Sequence, residues 1–283
     1  MRPMTQITYQ ATSLRSLVKQ MMPSAESKNI PESQYCYLGA RVRRMECEDG
    51  TSAPQCVLVA ETDQPTFDMA LSLMLSTDEV QVDDTVVRVN TRDLDTALAS
   101  CGQQMVTVFL HEDGTVQLLC QERDEDGQPC GRTKCISVRG EKDELMEDLP
   151  TGRKDCCQLG SMKPLLDGLH SVVGIAAVRG NALSRQGVFV TLEPDSLCLD
   201  GTNPNVLARA TYASPWFKAP RYRQTGIIST DAARHLVSAL SFAASQGKAT
   251  APVGIAMDDT FLYVETEGMT FCAEVTHNEK MNG

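Results

Sequence analysis

Two stretches decide the reading: Val86-Val87-Arg88-Val89-Asn90-Thr91-Arg92-Asp93-Leu94-Asp95-Thr96-Ala97-Leu98 and Gly226-Ile227-Ile228-Ser229-Thr230-Asp231-Ala232-Ala233-Arg234-His235-Leu236-Val237-Ser238-Ala239-Leu240. Each is a short β-branched run that turns directly into a helix-spaced one. Thr91 and Thr230 stand where a cap belongs. Each helix carries Leu-x-x-x-Leu ending in a small-Ala-Leu triplet, and the offset is 142 residues for both Leu94/Leu236 and Leu98/Leu240. In a chain of 283 residues, that offset predicts two copies of one module.

The flanks of the two stretches agree. Upstream of the first lies Ser13-Leu14-Arg15-Ser16-Leu17-Val18-Lys19-Gln20-Met21-Met22, apolar at helical spacing, with Thr12 or Ser13 placed to cap it and Pro23 to end it. Upstream of the second lies Ser161 to Val173, with Ser161 as expected cap and Pro164 in the first turn. Strands are expected over Cys56–Asp63, Thr66–Leu73, Gly187–Leu192, Ser196–Gly201 and Val206–Tyr212, each short and bounded by Asp, Gly or Pro. Downstream, each copy closes with a hairpin, around Glu112-Asp113-Gly114 and around Asp258-Asp259, followed by a last strand near Gly131–Val138 or Met269–Val275. Helices separated by runs of strands, without strict β-α-β alternation, indicate an α+β fold with helices on one face of antiparallel sheet.

Charge divides along the same line. Residues 1–150 hold 14 Lys and Arg against 25 Asp and Glu, whereas residues 151–283 hold 12 against 12, for a net charge of −11. The shift falls in the loop chemistry of Glu147-Asp148-Leu149-Pro150-Thr151-Gly152. We therefore expect a first module over 1–148, a connector over 149–158 and a second module over 159–283.

Composition excludes several classes. No apolar run is long enough to span a bilayer, and the N-terminus lacks the apolar stretch of a signal peptide. Eleven Cys without an export signal read as reduced thiols of a cytoplasmic protein. Cys120, Cys130 and Cys135 lack the paired spacing of a zinc knuckle, so no metal and no cofactor are expected. Four His accompany the Cys, but no nucleophile signature, phosphate loop or His-Glu-x-x-His is present. An enzyme is the weaker class.

Module order and length resemble the DNA sliding clamp, with a nearer likeness to the bacterial β-type clamp, from about Ile7 to Thr276. The motifs are Val57-Leu58-Val59-Ala60-Glu61-Thr62-Asp63, similar to the family's apolar strand ending in Thr-Asp, and Leu197-Cys198-Leu199-Asp200-Gly201, similar to its Thr-Asp-Gly strand end. Leu199 replaces the Thr of that second motif, and Thr202-Asn203-Pro204-Asn205 replaces its His-Arg pair. The resemblance implies a non-enzymatic ring of six modules, hence a homotrimer of this chain, that encircles duplex DNA near the nucleoid. It also implies a DNA polymerase and a clamp loader as partners, and helices lining the hole.

Phosphate contact is electrostatic and sequence-blind. The bases that the resemblance turns toward DNA are Arg15 and Lys19 on the first helix, Lys163 on the third and Arg234 on the fourth, together with Lys28, Arg179 and Arg185 in loops. Arg92 sits beside Asp93 and Asp95 and is poorly placed for DNA. Phe217-Lys218-Ala219-Pro220-Arg221-Tyr222-Arg223 interleaves aromatics with bases, a nucleic-acid texture or simply a crossover loop. For the partner peptide the resemblance implies a wall of Leu199, Asp200, Gly201, Thr202, Pro204 and Val206, or a pocket beside the connector at Asp143–Cys157. The alternative is a clamp-fold adaptor or transcription coactivator that binds peptides without encircling DNA.

Overall fold

The computed structural model describes residues 5–23, 27–46, 52–75, 85–123, 129–145, 156–176, 187–203 and 205–277. The chain divides into two units, Met1–Pro23 with Ser27–Asp63 and Ala70–Glu147, and Ser24–Glu26 with Gln64–Met69 and Asp148–Gly283. The connector expected over 149–158 lies mostly outside the described residues, which resume at Cys156.

In chain order the first module runs β1 (Thr5–Gln10), α1 (Ala11–Gln20), β2 (Tyr35–Glu46), β3 (Ser52–Gln64), β4 (Phe67–Met74), β5 (Val86–Asn90), α2 (Thr91–Ala99), β6 (Met105–Leu110), β7 (Val116–Arg123), β8 (Pro129–Val138) and β9 (Gly140–Asp143), with Gln64–Met69, the end of β3 and the start of β4, belonging to the second unit. The second runs β10 (Cys157–Leu159), α3 (Lys163–Val173), β11 (Val188–Glu193), β12 (Ser196–Thr202), β13 (Leu207–Ala213), β14 (Trp216–Lys218), β15 (Gln224–Ile228), α4 (Thr230–Ala243), β16 (Val253–Met257), β17 (Phe261–Thr266) and β18 (Met269–Glu274). Apart from the short β9 and β14, the two orders are the same.

Strand pairing repeats as well. The first unit orders one sheet β1-β6-β7-β8 and the other β4-β3-β2-β5, with β9 beside β5. The second orders β10-β16-β17-β18, with β14 beside β10, and β13-β12-β11-β15. Each module is thus an α+β unit of two antiparallel sheets and two helices. The matched leucines Leu94, Leu98, Leu236 and Leu240 are all buried, which is why the 142-residue offset was visible in the sequence.

Helix boundaries correct the expected caps. Asn90 caps α2, its side chain accepting from the Arg92 and Asp93 amides, and Ser229 caps α4 by accepting from the Ala232 amide. Thr91 and Thr230 are the first helical residues instead. α1 starts at Ala11, two residues before Ser13, and Gln10 makes no side-chain cap bond. α3 starts at Lys163 after Met162, so Ser161 does not cap it. The hairpins follow expectation: Asp113 Oδ1 accepts from the Thr115 amide at 3.0 Å, and Asp258 Oδ1 from the Thr260 and Phe261 amides at 2.8 and 2.7 Å. The bond from Thr115 also lowers the pKa of Asp113.

Two glycines let α3 lie close on its sheet. A Cβ on Gly168 would sit 2.6 Å from Leu199 Cδ1, and one on Gly201 would sit 2.2 Å from the Val172 carbonyl oxygen. The reading of every thiol as reduced is also corrected. Cys101, just past α2, and Cys120 on β7 form a disulfide with Cα atoms 5.9 Å apart. Both are buried.

Candidate nucleic-acid interface and partner surface

The helices carry the basic candidates, and amphipathicity decides which reach solvent. On α1, Leu14, Leu17 and Val18 are buried while Lys19 is exposed. Arg15 lies on the same flank but is engaged: its Nε donates to Asp95 Oδ1 of α2 at 2.7 Å and its Nη2 to Oδ2 at 3.4 Å. That hydrogen bond, more than the accompanying Coulombic attraction, raises the Arg15 pKa above its ordinary value, with desolvation opposing it.

The other helices repeat this pattern. Lys163 donates to Asp167 one turn on, at 2.5 Å, and its pKa rises for that reason. Arg234 lies 3.9 Å from Asp231, its i,i+3 neighbour. Across α1–α4, five bases (Arg15, Lys19, Arg92, Lys163, Arg234) face four acids (Asp93, Asp95, Asp167, Asp231). Among the described residues, Lys19 and Arg92 are the helical cations outside these ion pairs. Lys28 is exposed in the turn after α1, where its carbonyl accepts from Gln34 Nε2 at 2.6 Å. Arg179 and Arg185 lie outside the described residues. His235 stacks on Phe67, centroids 4.6 Å apart, and so serves packing.

The expected peptide wall divides between core and surface. β12 alternates, with Leu197, Leu199 and Gly201 inward. Leu199 is fully buried beneath α3 and offers no surface to a ligand. Asp200 points outward and takes a bidentate contact from Arg209 on β13, at 2.7 and 2.9 Å. That hydrogen bond raises the Arg209 pKa. Beyond it, Asn203 Oδ1 accepts from the amides of Asn205 and Val206, both at 2.9 Å, and Thr202 Oγ1 donates to the Asn203 carbonyl at 3.2 Å. This turn presents Val206 and Leu207, which are 47% and 63% exposed. Pro204 lies outside the described residues. Leu207 escaped the sequence reading, because an apolar residue at the head of a strand reads as core.

No cluster of three His, Cys, Asp or Glu suited to a metal occurs among the described residues. Cys120, one of the spaced thiols, is spent in the disulfide. Burial pushes the Cys36 and Cys157 thiols up to about 12, far from nucleophilic. No helix is long and apolar enough to cross a membrane among the described residues.

No protein-family description and no curated protein sequence matches the chain. Solved structures do. A DNA polymerase sliding clamp from Bacillus subtilis matches with a TM-score of 0.71 at 12% identity, covering 98% of this chain and 66% of that one. The DNA polymerase III subunit beta from Pseudomonas aeruginosa matches with a TM-score of 0.65 at 13% identity, covering 97% and 65%. A Helicobacter pylori beta clamp bound to a DNA ligase peptide matches with a TM-score of 0.67 at 9% identity, covering 98% and 69%. The chain spans about two thirds of the length of these proteins, and its fold is theirs.

Proposed function

We propose that this chain, built on the sliding-clamp fold, is a sliding clamp: a non-enzymatic ring that encircles duplex DNA and tethers a DNA polymerase to its template. The observation that carries the reading is the doubled module, with two sheets of the same strand order in each unit and a fold shared with DNA polymerase sliding clamps. Tethering needs no chemistry. A polymerase bound to an encircling ring rebinds the same template at high effective concentration instead of diffusing away.

Each unit supplies an edge strand for closure. In its own four-stranded sheet β8 pairs only with β7, and β13 only with β12. Antiparallel pairing of β13 in one copy with β8 in the next is a heterologous contact, which closes a ring when the rotation allows. Three copies of two modules make six. Lys19 and Lys28, with Arg179 and Arg185, are the bases offered to phosphate, while Arg15, Lys163 and Arg234 reach it only in competition with their carboxylate partners. A net of one positive charge across four helices makes that contact weak, so the grip rests on topology.

The test is primer extension on a primed single-stranded circle, with the cognate polymerase and clamp loader and with or without this protein. Longer products per binding event are expected. Unchanged product length, with a clamp loader shown active on another clamp, would overturn the reading. One observation favours a second reading, an adaptor or coactivator that binds peptides without encircling DNA: three of the five helical cations are paired to carboxylates of their own unit.

A further inference from the structure

From Gly201 to Thr230 the chain holds no Asp or Glu and four bases, Arg209, Lys218, Arg221 and Arg223, in a protein of net charge −11. The centre of this stretch carries the most exposed aromatics of the molecule's described part. Phe217 is 81% and Tyr222 65% exposed. A Phe that open to water costs hydrophobic free energy, and the chain holds it open with a rigid frame rather than letting it fold back. Ser214, at φ +48°, turns the chain and donates its amide to the Asp195 carbonyl at 2.6 Å. β14 then pairs with β10 through Trp216↔Leu159 and Lys218↔Gln158.

Glu193 pins both ends of the loop. Its carbonyl accepts from Trp216 Nε1 at 2.8 Å, and its carboxylate lies 3.3 Å from Arg223 Nε. Pro220 is buried at the middle, and the chain rejoins the sheet at Gln224↔Leu192. Between these anchors Phe217, Arg221 and Tyr222 project from a backbone with little freedom left to lose on binding.

We infer that the loop Trp216–Arg223 is a binding site for single-stranded nucleic acid, with Phe217 and Tyr222 stacking on unpaired bases and Arg221 meeting phosphate. Aromatic faces interleaved with cations match a polyanion whose bases are free to stack. Duplex DNA keeps its bases stacked on each other and offers no such faces. An anionic membrane surface would also attract the cations. Interfacial segments, however, bury a continuous apolar face, and between Ser214 and Thr225 the large exposed apolar side chains are Phe217 and Tyr222, with Lys218 and Arg221 between them. The site does not depend on the ring reading.

The test uses the full chain and a fluorescein-labelled oligo-thymidylate of about 20 nucleotides, long enough for one site, followed by anisotropy at about 50 and 200 mM salt. Phe217→Ala/Tyr222→Ala is expected to weaken binding by about tenfold or more, with an unchanged thermal midpoint because both side chains are exposed. Arg221→Gln is expected to flatten the salt dependence by about one phosphate contact. Retention on nicked duplex circles, measured on the aromatic variant, is expected to stay as in wild type, so loss of this contact is distinct from failure of the ring. Three results would overturn the site: no oligo-thymidylate binding by wild type, equal binding by the aromatic variant, or sedimentation with phosphatidylserine vesicles in place of oligonucleotide binding.

Discussion

Gly201 and Gly168 both admit α3 to its sheet, yet they face different neighbours. A methyl on Gly201 meets the Val172 carbonyl at 2.2 Å, backbone that cannot step aside. A methyl on Gly168 meets the end of the Leu199 side chain at 2.6 Å, which can rotate. Gly201→Ala is therefore expected to destabilise by about 1–3 kcal/mol and Gly168→Ala by less, read as shifts in the urea midpoint. The thiols give a pH test. Burial raises Cys36 from 9.0 to about 12, so the folded state keeps its proton while the unfolded thiol ionises. Its contribution is whole below pH about 9 and fades as pH rises above that. The stability gap between wild type and Cys36→Ala is expected to narrow by about 1 kcal/mol between pH 8 and 10; a constant gap would refute the sign. Leu199 marks where reading by motif misled. The period of two in Leu197, Leu199 and Gly201 already put that side chain on the buried face, but likeness to a pocket strand drew attention to its neighbours instead.

Among elements, the strongest sequence signals were the ones that packing rewards. α2 and α4 were found through their buried leucines, while their caps were misplaced by one residue. Asn90 and Ser229 accept the first free amides, because a cap residue needs extended backbone and so belongs to the strand's last position. Asn90→Ala is expected to cost about 1 kcal/mol, whereas Ser13→Ala, inside α1, stays within about 0.5 kcal/mol; thermal unfolding of both variants checks the contrast. β2 escaped prediction because Arg41, Arg43 and Arg44 interrupt the apolar pattern of Tyr35–Glu46, a strand whose register with β3 is continuous from Tyr37↔Glu61 to Glu46↔Ser52. β1 reads as polar in Thr-Gln-Ile-Thr-Tyr-Gln, and β9, β10 and β14, at three or four residues each, carry too few side chains for periodicity to register. β1, β9, β10 and β14 are held by pairing with distant strands, an interaction that no local window contains.

At the scale of the whole molecule, net charge described an average and the helices qualify it. With five bases to four acids the four helices are near neutrality, not basic, and Arg15, Lys163 and Arg234 pair with nearby carboxylates. In the proposed ring, association through strand edges is the property on which function turns. In solution the chain is expected at three times its 30.9 kDa by light scattering. Val206→Lys/Leu207→Lys, placing charge at the head of the β13 edge, is expected to reduce the mass to that of one chain without unfolding it. A wild-type monomer at micromolar concentration would count against ring closure. The most direct measurement is retention on DNA: the protein is loaded by its clamp loader onto nicked circular duplex, gel-filtered in high salt, and filtered again after the circle is cut at one site. A clamp elutes with the intact circle and is lost once the DNA is linear; equal elution with circular and linear DNA, or no elution with either, would contradict the ring.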